Sequence, residues 1–334
     1  MKPIAIINNN YNDLLYIEYL VGTTCNFKCH YCFEGCNDGK YRFTNDLDTL
    51  KKNLGHMFTV YKEHFNKKKI RLNVTGGEPS LWPQLGEFAE HFNKEYGCNV
   101  TLITNGSRTM RFWKEYAKYF GDICISVHNE FCDVDHTIEM MDWVYNNTDC
   151  LINAVVLMDP KNWDRCVSIV DKMAAHPTPW LLKVRPVLFQ GDMTHYTSEQ
   201  NAYIKDKIKK LPPQEWIQRM KDLGNMQTSD DGMNLVMENK EVVKADTFTI
   251  FQNNWHHFNG WKCNIGIDRF YIGMNGDITG ACGARNLFNI EPPLSIYDPE
   301  LTTKFTKEVI VETTCKQLYC DCPTETKLPK RKYE

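Results

Sequence analysis

No run of apolar residues in this chain approaches the roughly 18 that a membrane-spanning helix needs, so nothing in it reads as a membrane span. Residues 1–10 lack an apolar core of signal-peptide length, which argues against secretion. Charge of one sign is not in excess either. With 39 Lys and Arg against 42 Asp and Glu, the net charge is −3, and there is no electrostatic footprint for duplex nucleic acid. Low-complexity tracts are missing. The basic stretch 327–332 is the most concentrated charge present, and a short tail of this kind is expected to be solvated.

Cysteine, by contrast, is abundant: 14 in 334 residues, within an otherwise ordinary composition of 42% hydrophobic and 24% charged residues. The size and the missing secretion signal disfavour a disulfide scaffold. The expected compartment is the reducing cytoplasm, where clustered cysteines more often bind metal. Cys98, Cys124, Cys132, Cys150 and Cys166 are scattered through periodic segments and read as small buried hydrophobes.

From residue 14 to about 186 the chain alternates β-rich runs (14–21, 70–75, 100–104, 122–128, 151–157 and 181–185) with amphipathic helical stripes. One stripe is Leu85, Phe88, Ala89, Phe92 and Tyr96; another is Cys166, Ile169, Val170 and Met173. Such repeats imply parallel strands with crossover helices, and six rather than eight imply an open, partial (β/α)6 TIM-like barrel. Chemistry in these folds sits on the loops after the strands. The expected organisation is a barrel over 1–190, a polar helical and aromatic linker or insertion over 191–260, and a small cysteine-bearing unit over 261–334. That last unit opens on a hairpin over 267–282, turning at Asn275-Gly276.

The first of those loops carries Cys25, Cys29 and Cys32 in a C-x3-C-x2-C pattern. A cubic [4Fe–4S] cluster takes four ligands, so three neighbouring thiolates leave one iron open for a group that is not protein. The alternative is a four-thiolate zinc site that recruits Cys36 or distant partners. Cys36 itself reads as a free loop thiol.

This spacing, with Tyr31 just before the third cysteine, resembles the signature of the radical S-adenosylmethionine (SAM) enzymes. Gly76-Gly77-Glu78-Pro79, after the second strand, resembles the motif with which that family holds the methionyl amino group of SAM. The resemblance implies further cofactor contacts: Asn105 after strand three, Ser126 in strand four, Asn153 in strand five, Arg185 ending strand six as partner of the SAM carboxylate, and Tyr31 beside the adenine. Where many relatives follow the serine with Leu-Asp, this chain has Val127-His128. Cys263, Cys282, Cys315, Cys320 and Cys322 resemble a SPASM or, given their number, a shorter Twitch-like iron–sulfur extension holding one auxiliary [4Fe–4S] cluster. A structural zinc site is the alternative there.

The implied activity is that of a radical SAM oxidoreductase or maturase. Reductive cleavage of SAM at the cluster yields a 5′-deoxyadenosyl radical that abstracts a substrate hydrogen, and a flavodoxin or ferredoxin is the implied electron donor. Modification of a peptide or protein by crosslinking, epimerisation or oxidation is the first expectation. Dehydrogenation or rearrangement of a small polar molecule (sugar, aminoglycoside or nucleotide) is the alternative, and a non-catalytic metal-binding interaction protein the lesser one. The aromatic segment 253–261 either lines the pocket or packs a junction.

Overall fold

The computed structural model describes residues 1–187, 196–208, 212–222, 232–280, 292–320 and 322–332. A short N-terminal strand, Pro3–Ile7 (β1), precedes the six expected ones: Leu14–Leu20 (β2), Lys69–Thr75 (β3), Asn99–Thr104 (β4), Asp122–Val127 (β5), Leu151–Met158 (β6) and Leu181–Pro186 (β7). β2 to β7 pair side by side, all parallel. The helices Leu47–Phe65 (α1), Leu85–Tyr96 (α2), Met110–Tyr116 (α3), Val134–Asn147 (α4) and Trp163–Ala174 (α5) make the crossovers.

Side-chain alternation along each strand sorts the sheet into two unlike faces. Ile17, Leu72, Leu102, Ile125 and Val156 point to the helices and are fully buried. Each such side chain contributes about 1.5–3 kcal/mol on leaving water. The opposite face carries Tyr16, Glu18, Arg71, Asn73, Thr101, Asp122, Cys124, Asn153, Lys183 and Arg185. Helix ends follow local chemistry: Asp46 accepts from the Thr49 N–H at the start of α1, Asp133 from the His136 N–H at the start of α4, and Gly97 takes the left-handed conformation after α2. Helix α1 is absent from the stripes read in the sequence, although Leu50, Leu54, Met57, Phe58 and Tyr61 form one and are fully buried.

The remaining strands are Met233–Met237 (β8), Val242–Ala245 (β9), Lys262–Cys263 (β10), Arg269–Ile272 (β11), Ile278–Thr279 (β12), Thr313–Thr314 (β13) and Lys330–Arg331 (β14). The expected hairpin exists as β11 and β12, with Gly276 at φ 87° in its turn. It does not stand apart, because β11 also pairs in parallel with β2 and lengthens the barrel sheet to the order β12-β11-β2-β3-β4-β5-β6-β7. A second sheet, β13-β10-β14-β1-β8-β9, joins the extreme N-terminus to the C-terminal strands. Both sheets therefore draw strands from either side of the boundaries expected near 190 and 260. Arg269 in β11 reaches Glu18 of β2 at 2.8 Å and, at 3.2 Å, Glu325 of the short helix Pro323–Thr326 that precedes β14.

One sequence expectation changes here, and one left open is resolved. The basic stretch 327–332 is not simply solvated: Leu328 is fully buried, and Lys330 is buried in β14 between β1 and β10. Strand pairing outweighs the preference of an isolated charged tail for water. The aromatic segment 253–261 lines neither cavity described below. Phe258 and Trp261 are buried in the second core with Ile6, Leu235 and Cys320, so they pack rather than bind.

Candidate active site at the mouth of the open barrel

The cysteine loop leaves β2 and crosses the C-terminal ends of the strands. Cys25, Cys29 and Cys32 line one cavity of about 270 Å³ with Gly76, Gly77, Glu78, Thr104, Asn105, Ser126 and His128. Four successive strand ends thus supply one site. Cys36, read as a free loop thiol, lines the same cavity, and so does Met274 from the turn between β11 and β12. Nothing in the sequence announced Met274, since its place depends on β11 docking beside β2.

Each motif has a local cause. Gly77 and Glu78 donate their N–H groups to the carbonyls of Gly22 and Thr24, both at 2.8 Å, which lays the glycine loop directly against the cysteine loop. A Cβ on Gly76 would meet the Gly22 carbonyl oxygen at 2.6 Å, and one on Gly77 would overlap the Thr24 carbonyl. Both positions need glycine for this backbone contact alone. Glu78 is buried and accepts from Ser80 N–H at 2.9 Å, Thr104 Oγ1 at 2.5 Å and Asn105 N–H at 2.6 Å. Burial pushes its carboxyl pKa up, and these donors pull it back. Asn105 in turn donates to Asn26 Oδ1 at 2.9 Å. Glu78 and Asn105 thereby hold the loops after β2, β3 and β4 in mutual register.

Burial raises the pKa of all three thiols, Cys29 to about 12 with Glu130 and the neighbouring thiols adding to the effect. The Tyr31 hydroxyl shares a 3.1 Å hydrogen bond with His128 Nδ1, and the two rings stack at 5.8 Å. Burial holds the His128 pKa down at about 4, so the imidazole is neutral near pH 7. Through this contact His128, of the Val127-His128 pair, meets the cysteine loop. His30 anchors the loop on its other side, at 2.9 Å from Glu130 and 3.6 Å from the buried Asp159.

Among the described residues, His30, Glu130 and Asp159 bring three ligand atoms within 4.8 Å of one another.

Asn153 and Arg185 are not in this cavity. They line a second one of about 390 Å³ inside the barrel, with Tyr16, Arg71, Asn73, Asp122, Cys124 and Lys183; Ile103 borders both. Cys124 is therefore a cavity residue rather than the buried hydrophobe expected. Cys98, Cys150 and Cys166 are buried as expected.

In the C-terminal group, Cys263 lies in β10 opposite Lys330, whose ammonium is 3.9 Å from Cys320 Sγ. The Cys315 N–H donates to the Trp261 carbonyl in the same sheet, and Cys322 precedes the short helix Pro323–Thr326. Cys282 lies outside the described residues.

A parallel α/β sheet carries three thiols at its mouth, and comparison with known proteins adds to that geometry. The model of the Radical SAM superfamily matches residues 19–129. An S-adenosylmethionine-dependent nucleotide dehydratase of Fibrobacter sp. (strain UWH6) is 32% identical over 93 residues, 28% of this chain and 28% of that protein. Another, of Psychrobacter lutiphocae, is 22% identical over 211 residues, 61% of this chain and 64% of that one. These matches span less than two thirds of either relative. Among solved structures, Streptococcus suis SuiB bound to precursor peptide SuiA is 15% identical with a TM-score of 0.49, over 87% of this chain and 64% of that one. No described helix is long and apolar enough to cross a membrane.

Proposed function

We propose that the protein is a radical SAM enzyme that acts on a small polar molecule. The observation that carries this reading is the convergence of Cys25, Cys29 and Cys32 with the glycine loop and Ser126 on one cavity, with Ile103 shared between it and the cavity inside the barrel. When bound, a [4Fe–4S] cluster and SAM supply reductive cleavage of the sulfonium and a 5′-deoxyadenosyl radical that removes a substrate hydrogen.

In this reading Cys25, Cys29 and Cys32 hold the cluster. The backbone of Gly76 and Gly77, with Asn105 and Ser126, holds SAM. Glu78 and Pro79 shape that loop: three donors hold the Glu78 carboxylate, which lines the same cavity and keeps acceptor capacity for the cofactor. Tyr31 and His128 close the side of the cavity and exclude water, as a radical in reach of many C–H bonds demands. Asn153 and Arg185 belong to the substrate side.

Cys263 and Cys282, with two of Cys315, Cys320 and Cys322, hold an auxiliary cluster in a Twitch-like manner. The working environment is the reducing cytoplasm, with a flavodoxin or ferredoxin as electron donor. Two things support the small-molecule reading over the peptide one. The polar barrel interior is suited to a hydrophilic guest, and the relatives matched over the N-terminal stretch bear the names of nucleotide dehydratases.

Anaerobic reconstitution tests the proposal. The expected result is absorbance near about 400 nm, about eight irons per chain and release of 5′-deoxyadenosine with dithionite and SAM. A colourless, zinc-loaded protein that leaves SAM intact would overturn it.

A further inference from the structure

The interior of a TIM-type barrel is ordinarily filled by layers of branched aliphatic side chains. Here the inward row is polar and leaves a cavity of about 390 Å³, within the size range of small-molecule sites. Among the described residues lining it, Arg71, Lys183, Arg185 and Lys327 are basic and only Asp122 is acidic. That acid is already engaged: Arg71 Nη2 stands 3.3 Å from it, and Asn153 Nδ2 donates to it at 2.9 Å.

Lys183 and Arg185 share one face of β7, about 7 Å apart along the strand. Neither has a salt-bridge or hydrogen-bond partner among the described residues, although Lys183 is near enough to Asp122 to lower its pKa. Arg185 is exposed at the rim of the cavity and Lys183 is half-buried within it, so both cations reach water while facing the same space, and an oxyanion entering there meets both. A guanidinium offers such a group a planar fork, and an ammonium offers it a point charge.

We infer that the barrel interior binds a small molecule bearing a phosphate or carboxylate group, held by Lys183 and Arg185, with its body directed past Ile103 toward the cysteine loop. Asp122, fixed by Arg71 and Asn153, remains available to accept from a hydroxyl or amine on that body. This deepens the radical SAM reading and rests on it, but the binding site itself is measurable without radical turnover.

The test is calorimetric titration of the anaerobically reconstituted full chain, saturated with SAM, with pyrophosphate and separately with succinate. One saturable site is expected for at least one anion, and the tighter of the two assigns the group. Lys183→Gln and Arg185→Gln should each weaken that binding by about tenfold or more, and Lys183→Arg should restore most of it. The affinity of Lys183→Gln for SAM and its iron content should stay at the wild-type value, which controls for folding.

Absence of binding by both anions, binding indifferent to Lys183→Gln, or mutual exclusion of anion and SAM would overturn the inference. Anion binding in a protein that cannot cleave SAM would sink the radical reading instead. SAM cleavage without anion binding would sink this site alone.

Discussion

The two cysteine groups of this chain differ in how they are built. Cys25, Cys29 and Cys32 lie within one loop, and that loop is braced from outside by the glycine loop, by Glu78 through Asn105, and by His30 on Glu130 and Asp159. Cys263, Cys315 and Cys320 come from separate segments, and the pairing of β10 with β13 and β14 fixes where Cys263 and Cys315 stand relative to one another. A local motif needs its surroundings merely to hold it still. A dispersed one exists only once the sheet has formed. The first group should therefore tolerate damage to the second better than the fold of the second sheet tolerates damage to itself.

The largest expected effect separates the two directly. Cys29→Ala should abolish 5′-deoxyadenosine release and remove about four of eight irons, whereas Cys320→Ala should remove a similar share while leaving uncoupled SAM cleavage within about tenfold of wild type. Equal loss of cleavage in both variants, by chromatographic assay and iron analysis, would erase the contrast.

A smaller effect probes the bracing. Gly77→Ala places a methyl against the Thr24 carbonyl and forces the glycine loop away from the cysteine loop. A strain of about 1–3 kcal/mol should weaken SAM binding by about tenfold, measurable by equilibrium dialysis, with the C-terminal irons retained.

The smallest effect concerns His128. Its pKa falls from about 6.5 when unfolded to about 4 when folded, with burial the main cause. As pH drops below 6.5 the unfolded chain takes up a proton that the folded chain refuses. Stability present above pH 6.5 is thus lost progressively down to pH 4, on the order of 3 kcal/mol in all. Thermal melts of His128→Gln should show a shallower acid decline than wild type; identical slopes would contradict the buried neutral imidazole.

Much of the fold was legible in the residues. Period-two runs such as Ile70, Leu72 and Val74 located six strands, and stripes such as Phe88, Ala89 and Phe92 located helices on the covered face. The same alternation held an unread signal: Arg71, Asn73, Asp122, Asn153 and Lys183 occupy the other phase, where a packed barrel would carry aliphatics. Asn153 and Arg185 were placed by their strands but not by depth, since register between strands decides which cavity a side chain enters.

The sequence by itself determined the three-thiol loop, the glycine turn and the six β/α repeats, because each is set by neighbours within a few residues or by a short period. Tertiary structure alone decided that β11 extends the barrel, that Met274 lines the cysteine cavity, that Leu328 and Lys330 are buried, and that Arg71, Lys183 and Arg185 line one cavity. Those features depend on pairing between segments far apart in the chain, and backbone hydrogen bonding carries no sequence code for its partner.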